Sequence, residues 1–173
     1  MKVKRIKRGK IIGVSCESET FEAGVIVKRG GRKRTVKLAE RHFFKGRAPR
    51  ELELYPLRDP IKQFEIMTEL RHLNNEKNLS LHILPTIRLR KRFGRKPTIL
   101  LTHYKKISLN DLPREQKTMV LAQQGREQKI LKKQGYVTQV DAWKLIKDPL
   151  TGEPTYYLTA FGGVKKISPF EQE

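Results

Sequence analysis

The 173-residue sequence contains a single cysteine, Cys16, which excludes an internal disulfide framework and any multi-cysteine zinc site. It has one tryptophan and 37 % hydrophobic residues, short of the roughly 45–50 % of ordinary globular domains, so the expected core is modest. No stretch approaches the ~18 consecutive apolar residues of a membrane-spanning helix. The first residues are basic, but no apolar segment of a secretory signal follows them. Internal repeats and low-complexity tracts are absent. Acidic residues are scarce as well: 18 Asp and Glu face 38 Lys and Arg, for a net charge of +20. These deficits point to a soluble intracellular protein, in the cytoplasm or on the nucleoid, with a polyanionic partner and no membrane contact.

What is abundant is positive charge, and it is clustered. Residues 1–10 carry Lys2, Lys4, Arg5, Lys7, Arg8 and Lys10, a balance of +6. Residues 28–50 carry ten basic residues against Glu40, a balance of +9, beginning with Lys28, Arg29, Arg32, Lys33 and Arg34. Residues 86–106 carry Arg88, Arg90, Lys91, Arg92, Arg95, Lys96, Lys105 and Lys106, a balance of +8. The remainder of the chain nets −3. A charge spread evenly would serve solubility; three dense segments concentrate potential where a phosphate backbone can use it. Arginine is frequent in them, and its planar fork suits phosphate oxygens and base edges.

The hydrophobic pattern places these segments on strands and turns. Ile11, Ile12 and Val14 begin a β region, Gly24 to Val27 and Thr35 to Leu38 continue it, and Gly30-Gly31 marks a two-residue hairpin turn. The result is a small β-meander annex over residues 1–50, with a basic tail and a basic tip. Glu51 to Tyr55 alternates polar and apolar like a half-buried strand. Asp59-Pro60 starts a helix on which Ile66, Met67, Leu70 and Leu73 share a face. Leu79 to Leu84 alternates again, and Thr98 to Tyr104 follows a basic loop centred on Phe93-Gly94. A second helix is expected over 113–134 and stops at Gly135, with Met119, Val120, Ile130 and Leu131 on its apolar side and Arg126, Lys129 and Lys133 opposite. Tyr136 to Ile146, Thr155 to Phe161 and Val164 to Ile167 are strands. From residue 51 the order βαββαβ predicts a ferredoxin-like α+β domain over 51–173.

Catalytic signatures are weak. The strand 98–104 lacks the aromatic pattern of an RNA-recognition motif, and no phosphate-binding glycine loop occurs. The tripeptides at His82 and His103 lack the hydroxyl residue of two-histidine phosphoesterases. Carboxylate spacing gives no two-metal site, so no metal or cofactor is expected. His72 lies away from the apolar side of its helix and precedes a basic hairpin. That layout resembles the CRISPR repeat-processing endoribonucleases, through element order over residues 51–170 and loosely through Phe161-Gly162-Gly163. The resemblance implies His72 as general acid or base, with Tyr104 or Lys105 as partners.

The reading that follows is a nucleic-acid-binding protein, a non-catalytic subunit of a ribonucleoprotein or nucleoprotein complex that works with other protein subunits. It grips phosphate through the tail, the first hairpin tip and the second basic loop, with Phe93 able to stack on a base and the helix cations adding contacts. RNA is favoured over DNA because no DNA-docking motif is present. The competing readings are a metal-independent endoribonuclease using His72 and a DNA-binding regulator of phage or mobile-element type.

Overall fold

The computed structural model describes residues 3–14, 18–29, 32–44, 59–92, 94–148 and 150–167. Three long strands open the chain: β1 (Val3–Val14), β2 (Ser18–Arg29) and β3 (Arg32–Phe43). Helix α1 (Pro60–Lys77) follows, then the hairpin β4 (Thr86–Arg92) and β5 (Arg95–Thr102), and helix α2 (Arg114–Lys133). Four short strands complete it: β6 (Tyr136–Thr138), β7 (Trp143–Lys147), β8 (Pro154–Leu158) and β9 (Val164–Lys166). The architecture is mixed α+β, with an antiparallel five-stranded sheet in the order β1-β2-β3-β5-β4 and the two pairs β6-β9 and β7-β8.

That order is a meander extended by a hairpin, and the β3–β5 pairing joins the N-terminal strands and the second hairpin in one sheet. A ferredoxin-like order would interleave the strands of its two halves, whereas here the strands after α2 form separate small pairs. The expected strand Glu51 to Tyr55 lies outside the described residues, as do Gly30-Gly31 and Phe93. The expected strand 79–84 reduces to one parallel bridge, Ile83 to Leu158. Its start is disrupted by the left-handed backbone of Asn78 (φ 47°) and Ser80 (φ 57°). The basic tail is itself strand β1: its apolar content is low, but pairing with β2 from Val3–Val27 onward satisfies its backbone. The basic loop 88–96 is likewise mostly strand, turned at Gly94, whose φ of +64° suits glycine.

Local signals account for the helices. Asp59 Oδ1 accepts from the amides of Ile61 (3.0 Å) and Lys62 (3.1 Å), and Pro60 occupies the first turn, where its missing N–H costs nothing. Met67 and Leu70 are buried, and Ile66 and Leu73 pack beside them. Helix α2 ends at Lys133 with Gln134 as its cap, and Gly135, with a φ of +82°, turns the chain into β6. Its buried stripe is Val120, Gln124, Glu127 and Leu131. Met119, expected inward, is 70 % exposed, because the stripe is rotated by about one position (~100°) towards the polar residues.

Two apolar clusters result. Met67, Leu70, Leu131, Tyr136, Trp143 and Phe161 pack α1 and α2 onto the small strand pairs. Small and branched residues of the sheet's inner face, Ala39, Ile99 and Leu101, pack with Ile146 and Tyr157 in the other. Phe64 of α1 touches both. The segment after β5 links the units: Ile107 N donates to Leu145 O (3.0 Å) and Lys147 N to Lys105 O (3.2 Å). No helix among the described residues is long and apolar enough to cross a membrane.

Candidate nucleic-acid interface

Strand register decides which basic segments meet. Val3 pairs with Val27 and Val27 with Arg34, so the start of β1 lies beside the β2–β3 tip. Lys28 pairs with Lys33 and Arg29 with Arg32. One end of the sheet therefore gathers Lys4, Arg5, Lys7, Arg8, Lys28, Arg29, Arg32, Lys33, Arg34 and Lys37 on three adjacent strands, with no acidic residue in 3–8, 28–29 or 32–37. Neighbouring strands lie ~4.8 Å apart, so this is a continuous basic patch of backbone positions. Lys2 lies outside the described residues.

The second basic hairpin points the other way. β3 and β5 are antiparallel, from Leu38–Thr102 to Arg41–Ile99, which carries the turn before Arg95 to the far end of the sheet. Continuing that register sets Arg32 and Arg95 about 13 residue steps apart, roughly 45 Å along the strands. Not all of this hairpin's cations are available. Arg90 Nη1 donates to Glu40 Oε1 (3.0 Å), which also accepts from Thr98 Oγ1 (3.0 Å), while His42 Nε2 lies 3.1 Å from Glu40 Oε2. Glu40 is fully buried, so Arg90 serves to neutralise it. Lys96 Nζ donates to Phe44 O (2.9 Å) and holds the strand ends together. Arg88 is exposed, and Lys91, Arg92 and Arg95 flank the turn.

On α2, Arg126, Lys129 and Lys133 are all exposed. His72 is a surface residue whose side chain is 70 % exposed, with Nδ1 3.2 Å from Glu76 one turn on. Tyr104 is buried in the second cluster, and Lys105 is exposed in the segment after β5.

Sequence reasoning missed a polar network at His82. Its Nδ1 lies 2.6 Å from Glu127 Oε1, and its amide donates to Glu127 Oε2 (2.8 Å). Gln123 Nε2 donates to Glu127 Oε1 (2.6 Å) and to Tyr156 O (2.9 Å), while Tyr156 N returns a bond to Gln123 Oε1 (3.1 Å). The hydrogen bond to Glu127 raises the His82 pKa above its ordinary 6.5, against the opposing effect of burial. Beneath the ring, Tyr157 Oη donates to Asp148 Oδ2 (2.7 Å). Asp148 also accepts the amides of Thr151 and Leu150, and these bonds lower its pKa, the Thr151 amide most.

Two clefts open where β1–β3 meet the segment after β5. The larger, about 390 Å³, is lined by Lys10, Ile12, Glu22, His103, Tyr104 and Lys106 among others, with His103 Nε2 3.2 Å from Glu22 Oε1. The smaller is lined by Ser18, Thr20, Arg41, Lys106 and Lys144 among others. Among the described residues no three His, Cys, Asp or Glu side chains gather as metal ligands. No protein-family model matches this sequence, and no curated protein matches it.

Proposed function

We propose that the protein binds nucleic acid through the phosphate backbone, at the sheet end where β1, β2 and β3 align their basic segments. The observation that supports this is the register: residues 3–5 of β1 lie at the same end of the sheet as 28–29 and 32–34, separate in sequence, with no acid among them. Cations packed at strand spacing repel one another, and a polyanion relieves that repulsion while releasing its own counterions. The β2–β3 ribbon is narrow enough to follow a groove. The opposed β4–β5 tip supplies a second, weaker contact through Arg88, Lys91, Arg92 and Arg95.

The role that fits is a nucleoprotein subunit, with RNA the first partner to test and the cytoplasm or nucleoid as its place. His72, exposed on α1, pairs with Glu76 one turn on, and catalysis forms no part of the proposal. The test is binding to a structured RNA, a DNA duplex and a single strand at ~50 and ~200 mM salt, for the wild type and a Lys28, Arg29, Lys33, Arg34 to Gln variant. The proposal expects binding to weaken at least tenfold at low salt in the variant. Unchanged binding would overturn it.

A further inference from the structure

The larger cleft, beside β1, carries a different chemistry from the sheet end. Strand β1 loses its even pairing there. From Arg8–Ala23 to Ile11–Phe21 the register advances three residues on β1 against two on β2, and from Ile11–Phe21 to Gly13–Thr20 two against one. Extra residues of this kind bend a strand and re-aim its side chains. Lys10, Ile11 and Ile12 span the two shifts, and they form one wall of the cleft. Glu22 of β2 stands opposite the first shift and lies directly over Gly9, where a Cβ would come within 2.8 Å of Glu22 Cβ and 3.2 Å of Oε2. From there Glu22 Oε1 meets His103 Nε2 at 3.2 Å, in the segment after β5. The same segment brings Lys105 and Lys106 to the cleft. The side chains of Lys10, Lys105 and Lys106 are exposed and make no hydrogen bond or ion pair among the described residues.

We infer that this cleft takes one unpaired ribonucleotide of a bound RNA strand and reads its 2′-hydroxyl through Glu22. Its volume of about 390 Å³ lies within the range of sites that hold a ligand of nucleotide size. Three lysines suit a phosphate, but a carboxylate among them would repel one. That carboxylate suits a ligand with a hydroxyl beside its phosphate, which donates a charge-assisted hydrogen bond that deoxyribose cannot supply. His103 is the positioning residue. A carboxylate only accepts, so the ring nitrogen facing Glu22 carries the proton and holds Oε1, which leaves Oε2 for the ligand. Ile11, 49 % exposed, and Ile12 offer the base an apolar surface. A base stacked within a duplex cannot leave its neighbours to reach that surface, so the nucleotide is unpaired. Lys10 follows Arg5 on the same strand, about 17 Å further along β1, so a chain gripped at the sheet end continues into the cleft.

This inference rests on nucleic-acid binding at the sheet end, and reading a ratio separates the two. Fluorescence anisotropy of the full chain at ~100 mM salt would compare oligouridylate of about 12 nucleotides with oligodeoxyuridylate of the same length, which differ only at the 2′ position. The wild type should bind the RNA strand at least fivefold more tightly. Glu22→Ala should abolish that preference and hold DNA as tightly as the wild type or more so, because a negative charge is lost; retained DNA binding also shows that the variant is folded. Gly9→Ala keeps every charge but pushes Glu22 aside, and should at least halve the preference. Lys106→Gln should weaken both strands about equally. The Lys28, Arg29, Lys33, Arg34 to Gln variant should weaken both and keep the preference. Equal binding of the two strands by the wild type, or an undiminished preference in Glu22→Ala, would overturn the inference and leave the sheet-end reading standing. A preference lost with the sheet-end substitutions would place the 2′ readout there and overturn it too. Binding of neither strand by the wild type would overturn both readings.

Discussion

Replacing Glu127 by glutamine tests whether the network at His82 holds α2 to the rest of the molecule. The carboxylate is 3 % exposed and accepts from the His82 amide, the His82 ring and Gln123. Glutamine keeps the shape but offers one acceptor oxygen and sets an NH2 group against donors. Hydrogen bonds to a charged group are worth about 1.5–3 kcal/mol each, and a mismatched buried donor costs about 1–3 kcal/mol. A partly relaxed network should therefore lose about 2–4 kcal/mol, or about 5–15 °C in Tm for a chain of this size. Urea denaturation followed by the single tryptophan, Trp143, reads this directly, since Trp143 is buried with its Nε1 bonded to Thr138 Oγ1 (3.0 Å). The pH profile gives a second readout. His82 has a folded pKa above its ordinary 6.5, so the pair contributes fully below that value and loses its contribution as pH rises through the folded pKa. Glu127→Gln should flatten that decline. A variant within about 0.5 kcal/mol of wild type, with the decline intact, would refute the reasoning.

Arg90→Ala should destabilise the fold by about 3–5 kcal/mol, because it strips Glu40 of a buried counter-charge, yet leave the salt dependence of nucleic-acid binding unchanged; a flatter salt slope in a folded variant would assign Arg90 to phosphate instead. Asp59→Ala should cost about 1 kcal/mol by removing the α1 cap, and Asp59→Asn much less, both by urea midpoint. The roughly 45 Å between the two basic ends matches about 13 base pairs at ~3.4 Å each. Lys91, Arg92 and Arg95 to Gln should therefore weaken a 24-base-pair duplex but not an 8-base-pair one; an equal loss on both lengths would show that the ends do not share a duplex.

Much of the local structure was legible because it follows from short-range rules. Asp59-Pro60 and Gly135 bound the helices where capping and left-handed backbone demand. Strand length was not legible. Arginine and lysine dilute the apolar alternation of β1 and of β4, so backbone pairing with the neighbouring strands β2 and β5 extends them, and periodicity within the strand gives no sign of it. The same limit hid the sheet order, which rests on the β3–β5 register across some sixty residues. Charge alone placed Arg90 and Lys96 among phosphate ligands, whereas Glu40 and a backbone carbonyl hold them. Arg41 could have been found: once β3 is drawn to Phe43, alternation with Ala39 turns it inward, where a cation is anomalous. Gln123 and Glu127 are polar residues on the side of α2 that carries Val120 and Leu131, and only the fold supplies the His82 and Tyr156 groups that make them a network.

The central claim is that the sheet end formed by β1, β2 and β3 neutralises phosphates. The salt dependence of duplex binding counts them, since each released contact changes the slope of log affinity against log salt by about 0.9. The Lys28, Arg29, Lys33, Arg34 to Gln variant should flatten the wild-type slope by about 3–4, whereas Arg126, Lys129 and Lys133 to Gln should change it less. Identical slopes for wild type and the sheet-end variant, with both folded, would contradict the account.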